Sequence, residues 1–375
     1  MNFDLSEEQR LLVDTAATFV KRDSPVSRAR RLRADARGWT PAVWQSFAEL
    51  GWLALPFPEE VGGLGGRFID IALLVEQLGR ALVPEPYLAS TLLAGTALVK
   101  LAPAEQARKY LAPMIDGRTS LALALTEPGG RFEPTVAATV ARRVGAAYRL
   151  TGHKVWVLNG HAADVLLVSA LAPEGLSLFA VAPGAPGVTI RSVATMDGRR
   201  AAFVELAEAE GELLGQEGAA PGALLAAFDV AAAATCAEGA GVMQAALEMT
   251  VDYLGQREQF GVKIGSFQVL QHRAVDMFIE TELAKSMMLY AALKADDADP
   301  TERAWAVSQA KVQLSVSGRF VTQEAIHLHG GIGVTDEHDI GLYFKRMHVL
   351  RLSFGDEEYH LSRMTRLPQF LPPTS

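Results

Sequence analysis

The hydrophobic period of this chain changes twice, near Thr119 and again near Pro221, and that double switch restricts it to a helical layer, a β layer and a second helical layer in sequence order. Ser6-Glu7-Glu8-Gln9 has the form of a capping box, with Ser6 as N-cap and Gln9 reaching back. Leu11, Leu12, Thr15, Ala16 and Phe19 then recur at helical spacing. Trp44, Phe47, Leu50 and Leu53 predict a further helix, stopped by Gly51, Pro56 and Pro58, and Ile69 to Leu82 another. From Thr119 the pattern breaks into β-rich pieces bounded by Gly, Pro and Asn: Ser120–Thr126, Ala137–Val144, Tyr148–Leu150, Lys154–Leu158, Val165–Ala170, Leu176–Val181, Val188–Val193 and Ala201–Leu206. Helical spacing returns in Ala223–Leu254, Phe267–Ala295, Thr301–His329, Ile340–Met347 and Glu357–Leu367, with an Asp/Pro break at Asp296–Pro300. The reading is an α+β chain: an N-terminal all-α domain over 1–117, a middle β-barrel or sandwich domain over 118–220, and a C-terminal antiparallel four-helix bundle over 221–375.

At 375 residues, 49% hydrophobic and 21% charged, such a chain buries a sizeable core and is not disordered. A net charge of -8, with a single basic run from Arg28 to Arg37 that reads as a solvated helix face, argues against nucleic acid. The one cysteine, Cys236, sits in an alanine-rich apolar segment and reads as a small core residue. The opening MNFDLSEEQR lacks a basic start followed by an apolar run, so no signal peptide is expected. Ala223–Ala237, the most apolar stretch, is interrupted by Asp229 and is short for a bilayer, so the expected setting is soluble and cytoplasmic, without a membrane partner.

Between two long helical stretches lies Arg257-Glu258-Gln259-Phe260-Gly261. A guanidinium, an amide, an aromatic and a glycine this close together suit a phosphate-bearing aromatic cofactor. Taken alone, the same five residues also read as a connector with a solvated arginine and a core phenylalanine. The glycine-dense loop Glu59–Gly66 is no P-loop, because no strand precedes it and no Lys-Ser/Thr follows.

The pattern extends further. Arg257 to Gly261, then Ile264, Phe267-Gln268 and Gln271, resembles the R-x-Q-F-G-x-x-I-x-x-F-Q-x-x-Q signature of the acyl-CoA dehydrogenases. Glu76-Gln77-Leu78-Gly79-Arg80-Ala81 and Pro84-Glu85-Pro86-Tyr87 resemble the E-x-L-G-R-A and P-x-P-Y segments of that family, and the α–β–α order is its architecture. The resemblance implies FAD-dependent α,β-desaturation of an acyl-CoA thioester, an oligomer such as a tetramer, and a flavoprotein as electron acceptor.

For the flavin ring it implies Thr126 of Thr126-Glu127-Pro128-Gly129, and Trp156 among Gly152, Lys154, Trp156 and Asn159. Two positions depart: Leu158 replaces a hydroxyl residue, and Gly130-Arg131-Phe132-Glu133 stands where A-G-S-D is usual. Either Arg131 replaces the lost donor or this half-site is empty. For the flavin of a neighbouring chain the resemblance implies Arg257, Gln259 and Phe260, with His327, Gly330 and Gly331 of a turn in which His327 holds a glutamine position. His327 and His329 lack a carboxylate or cysteine to complete a metal site, so no metal is expected. The catalytic glutamate position is Gly355, and the alternative early-helix positions are Ala231 and Ala232. Asp356 and Glu357, at a helix start, are the substitute carboxylates; Glu238 is expected on a helix surface or interface. The leading expectation is the base-less subunit of a heteromeric dehydrogenase. The alternatives are a homotetramer using Asp356, a flavin monooxygenase on the same fold, and a purely structural subunit.

Overall fold

The computed structural model describes residues 5–145 and 147–370. Met1–Asp4, which open the segment expected to carry no signal peptide, and residues 371–375 lie outside the described residues. The helices in chain order are α1 (Glu7–Asp23), α2 (Val26–Leu32), α3 (Pro41–Glu49), α4 (Phe68–Arg80), α5 (Thr96–Leu101) and α6 (Ala104–Ile115), with a π-helix over Tyr87–Gly95. Strands β1 (Leu121–Ala124), β2 (Val140–Val144), β3 (Ala147–Leu158), β4 (Val165–Ala172), β5 (Gly175–Val181), β6 (Val188–Ala194) and β7 (Arg200–Leu214) follow. Then come α7 (Ala220–Gln256), a short hairpin of β8 (Glu258–Gln259) and β9 (Val262–Lys263), α8 (Gln268–Lys294), α9 (Pro300–His329), α10 (Ile340–Leu352) and α11 (Glu357–Met364). The capping box at Ser6 is present, with both the Ser6 and Gln9 side chains engaged.

The chain forms two compact units. One comprises Leu32–Arg67 and Pro84–Ala231. Its sheet runs β1-β4-β2-β3-β7-β5, and β5 also pairs with β4, so strands β4, β2, β3, β7 and β5 close a ring. β1 pairs with β4 and adds Ala122 and Ala124 to the same core, and β6 pairs with β7. The ring encloses Tyr148, Leu150, Val157, Leu166, Val168, Phe179, Val204 and Leu206, supplied by the alternating inward positions of its strands. Two expected strands, Tyr148–Leu150 and Lys154–Leu158, are one strand, β3, interrupted by register shifts at Leu150/Gly152 and Lys154/Val157. Gly152 is required there, because a Cβ would lie 2.4 Å from Thr139 Oγ1.

The other unit runs up to Arg31, then takes Phe68–Val83 and the chain from Ala232 on. Here α4 crosses α7 at backbone distance. A Cβ on Gly79 would stand 2.3 Å from the Glu238 carbonyl oxygen, and one on Gly241 2.0 Å from that of Glu76. Helix α7 is long and apolar enough to cross a bilayer by length and composition, longer than the sequence suggested; 78% of its apolar window is buried inside the fold, as in a core helix.

Candidate active site

In the β unit, Thr126 and the β3 motif are neighbours through backbone: Val155 N donates to Thr126 O at 2.9 Å. The two segments are also bolted together by a buried ion pair. Lys154 Nζ lies 2.6 Å from Glu127 Oε1, and Lys154 also donates to Ser169 Oγ at 2.9 Å. Glu127 further accepts from the Thr139 hydroxyl at 2.6 Å and from the Ala138 and Thr139 amides. Burial opposes the Glu127 charge, but Lys154, Thr139 and the Ala138 N–H outweigh it and hold its carboxyl below the usual range. Burial draws Lys154 down to about 8 against the pull of Glu127, so both are ionised at neutral pH. Asn159 is likewise internal: it accepts from Trp39 Nε1 at 3.1 Å and donates to Ser120 Oγ and Leu121 O at 3.2 Å. Of the motif side chains on β3, Trp156 is the one that faces outward. It sits at φ +54° within the bulge, 54% exposed, with its ring edge-on to Phe203 at 5.4 Å. A bulky residue in the left-handed region is uncommon, and here it is what turns the indole outward. Thr126 and Leu158 are half-buried, and Arg131 is exposed at φ +45°.

In the helical unit, the Arg257 segment is a two-residue β-hairpin. Glu258 pairs with Lys263 and Gln259 with Val262 across the turn Phe260-Gly261. Both turn residues have positive φ, +55° and +77°, which is the I′ arrangement that usually takes Asn-Gly. Phe260 is 91% exposed, touching Phe267 only edge-on at 6.3 Å, so the core-phenylalanine reading does not hold. Arg257 and Gln259 are exposed. The hairpin follows directly on Tyr253 of α7, whose ring stacks on His329 at 4.5 Å. His329 is buried: its Nδ1–H donates to Ala325 O at 2.7 Å, and its other face meets His338 at 4.6 Å. Burial lowers its pKa, and His338 adds to that. This ring stack ties the hairpin to the turn Gly330–Val334 that ends α9. Gly330 and Gly331 are exposed, with nothing within 4 Å of an added Cβ, while His327 lies at the surface beside Arg273. Among the described residues no group of three or more His, Cys, Asp and Glu is placed to hold a metal ion.

The Gly355 position is filled. Phe354 and Gly355 take φ +55° and +98°. A Cβ on Gly355 would lie 2.4 Å from Tyr359 Cδ1 and 2.6 Å from His360 Nε2. His360 is fully buried; its Nε2–H donates to Phe354 O at 2.8 Å, so Nδ1 accepts from Ser308 Oγ at 3.1 Å. Burial, and then the Lys311 ammonium, push His360 down to about 3. Lys311 itself is buried and donates to Leu350 O at 2.9 Å and Ser353 O at 2.7 Å, closing the end of α10. Asp356 is the N-cap of α11, accepting from Tyr359 N at 2.8 Å, and Glu357 lies half-buried in the first turn. Ala231 and Ala232 are fully buried. Glu238 is not on a surface: it is 6% exposed and grips Arg346 of α10 with two bonds of 2.7 Å.

The structure supplies groups suited to a flavin dinucleotide on both units: an outward indole on one, and on the other an exposed guanidinium, amide and aromatic beside an open glycine turn. Sequence reasoning missed Lys311, whose partners are backbone carbonyls and leave no residue-type signal, and did not foresee that His360 would pack under Gly355 between Phe354 O and Ser308 Oγ.

The family descriptions "Acyl-CoA dehydrogenase, N-terminal domain", "middle domain" and "C-terminal domain" match residues 6–118, 122–208 and 222–367. The chain is 31% identical over 361 residues to the acyl-CoA dehydrogenase IpdE2 of Mycolicibacterium smegmatis, covering 96% of this chain and 98% of that one. Among solved structures, a Tcur3481-Tcur3483 steroid ACAD variant superposes with a TM-score of 0.87 at 31% identity, over 97% of this chain and 98% of that one. The ChsE4-ChsE5 complex from Mycobacterium tuberculosis gives 0.90 at 26% identity, with 100% of both chains covered. Matched along almost its whole length, the chain belongs to the acyl-CoA dehydrogenase family.

Proposed function

We propose that this chain is the subunit of a heteromeric, FAD-dependent acyl-CoA dehydrogenase that carries no catalytic carboxylate and lends its hairpin and glycine turn to the flavin of an unlike partner. The observation that carries the reading is Gly355. The place a carboxylate would need is taken by Tyr359 and His360, while the hairpin is formed and outward-facing. Asp356 does not fill the gap, because its carboxylate caps α11. That cap disfavours the homomeric alternative, since a base needs hydrogen-bond reach of its proton.

A bound FAD would supply a hydride acceptor for the substrate β-hydrogen, and a carboxylate of the partner chain would serve as base for the α-proton. From this chain, Arg257 would hold phosphate oxygens, Gln259 would offer amide hydrogen bonds, and Phe260 would cover an aromatic face. Gly330 and Gly331 would let backbone approach closely. Trp156, with Thr126 beside it, is the group this chain would offer to a flavin ring of its own. Association is supported by α8, whose outer face repeats Val275, Phe278, Ile279 and Leu283 at helical spacing, all about half exposed. That the ChsE4-ChsE5 relative is a complex supports two unlike chains. An acyl-CoA substrate, an electron-accepting flavoprotein and a cytoplasmic setting complete the reading.

The test is to purify the chain alone and together with a related chain that keeps the glutamate. The expected result is flavin and acyl-CoA dehydrogenation only in the pair. Full flavin content and turnover in the single chain would sink the proposal.

A further inference from the structure

His327 occupies the last turn of α9, at the same end of the helical unit as the hairpin, with 68% of its side chain exposed. On its inner side stands Arg273 of α8. The Arg273 guanidinium donates through Nε to Glu324 Oε2 at 2.6 Å and pairs with the same carboxylate through Nη2 at 2.5 Å. The same Nη2 lies 3.3 Å from His327 Nδ1. A guanidinium has no acceptor, so this contact exists only when Nδ1 carries a lone pair. The opposite tautomer would set two N–H groups face to face at 3.3 Å, and the carboxylate oxygen beside it, Glu324 Oε1, is 3.7 Å away, beyond hydrogen-bond range. The neutral ring therefore carries its proton on Nε2, the atom turned away from Arg273.

We propose that Arg273, held by Glu324, fixes His327 in the form that gives its Nε2–H to an acceptor atom of the flavin dinucleotide held by the partner chain. Arg273 is then a positioning residue and His327 a cofactor contact. The inference rests on the lent-wall reading above and adds to it the means by which an imidazole substitutes for an amide. Glutamine always presents N–H; histidine does so from this position only in one tautomer.

Histidine-selective 15N NMR of the chain alone, with His327→Gln to assign the signal, is expected to show the Nε2–H form for His327 and a tautomer mixture in Arg273→Met. An Nδ1–H signal in the unaltered chain overturns the lock. FAD binding is then measured by flavin fluorescence on the reconstituted pair. His327→Gln is expected to stay within about threefold of wild type, while His327→Phe, which removes one donor, weakens binding about tenfold. Arg273→Met is expected to weaken binding about twofold in the histidine background, as an even tautomer mixture requires, and not at all when residue 327 is glutamine. Equal weakening in both backgrounds would make Arg273 a structural brace and overturn the proposal. If FAD binds but His327→Phe leaves affinity unchanged, the donor role fails and the lent wall survives; if the pair holds no FAD, both fail.

Discussion

Restoring the carboxylate should not restore the base. In Gly355→Glu the new Cβ arrives 2.4 Å from Tyr359 Cδ1 and 2.6 Å from His360 Nε2. Three effects oppose it. A φ of +98° strains any L-residue by about 1–2 kcal/mol. Overpacking a filled site costs about 1–3 kcal/mol. Relief by moving His360 breaks its bonds to Phe354 O and Ser308 Oγ, each worth about 1 kcal/mol. The total is about 4–7 kcal/mol, a large share of the stability of an ordinary fold. The strain and the clash belong to the backbone and Cβ, so Gly355→Ala should be destabilised almost as much as Gly355→Glu. The assay is urea unfolding of the three proteins followed by circular dichroism, with acyl-CoA dehydrogenation measured on each chain alone. A Gly355→Glu protein of wild-type stability, or one that turns over substrate unaided, would show that this loop rearranges freely and would refute the reasoning.

Other outcomes follow from the same geometry. Glu127→Gln and Lys154→Met should each cost about 3–5 kcal/mol, because each strands a buried charge, while the double variant should cost less than their sum by more than about 1 kcal/mol in a denaturant cycle. Phe260→Asn should stabilise the isolated chain by up to about 1 kcal/mol, since asparagine tolerates the left-handed turn position, yet weaken flavin retention by the pair; unchanged retention would remove Phe260 from the lent wall. His360, lowered to about 3 in the fold against an ordinary value of about 6.5, contributes stability that is present above about pH 6.5 and lost as pH falls toward 3. The loss is about 1.4 kcal/mol per pH unit, so the urea midpoint should drop across that window and drop less steeply in His360→Gln.

Much of the architecture was legible because it repeats locally. The Ser6 capping box, the α8 and α9 spacings and the β-rich pieces are each carried by residues within a few positions of one another. The hairpin was not legible as a hairpin: two-residue strands are too short to show a period of two, and Phe at a left-handed position gives no turn signal. Joining Tyr148–Leu150 to Lys154–Leu158 needed the bulge, which only the pairing with β7 reveals. Long-range charges were hidden for another reason. Glu127 and Lys154 both stood in the flavin-related motifs, but nothing local says that they meet each other. Glu238 and Arg346 are 108 positions apart, and an isolated glutamate in an alanine-rich helix reads as exposed until its arginine is seen.

These hidden charges converge on one segment. Glu238 holds Arg346 of α10, and Lys311 closes the same helix through Leu350 O and Ser353 O. His360 then takes Phe354 O, and Asp356 caps the next helix, so residues 346–360 are fixed at five points around Gly355. A position vacated by simple loss of a side chain would leave a cavity or a slack loop. Here the space holds a tethered imidazole and a phenol ring, and the backbone has taken a conformation suited to glycine. The packing of the helical unit is therefore built around glycine at position 355, and on the proposed heteromeric reading a carboxylate from another chain would take the proton.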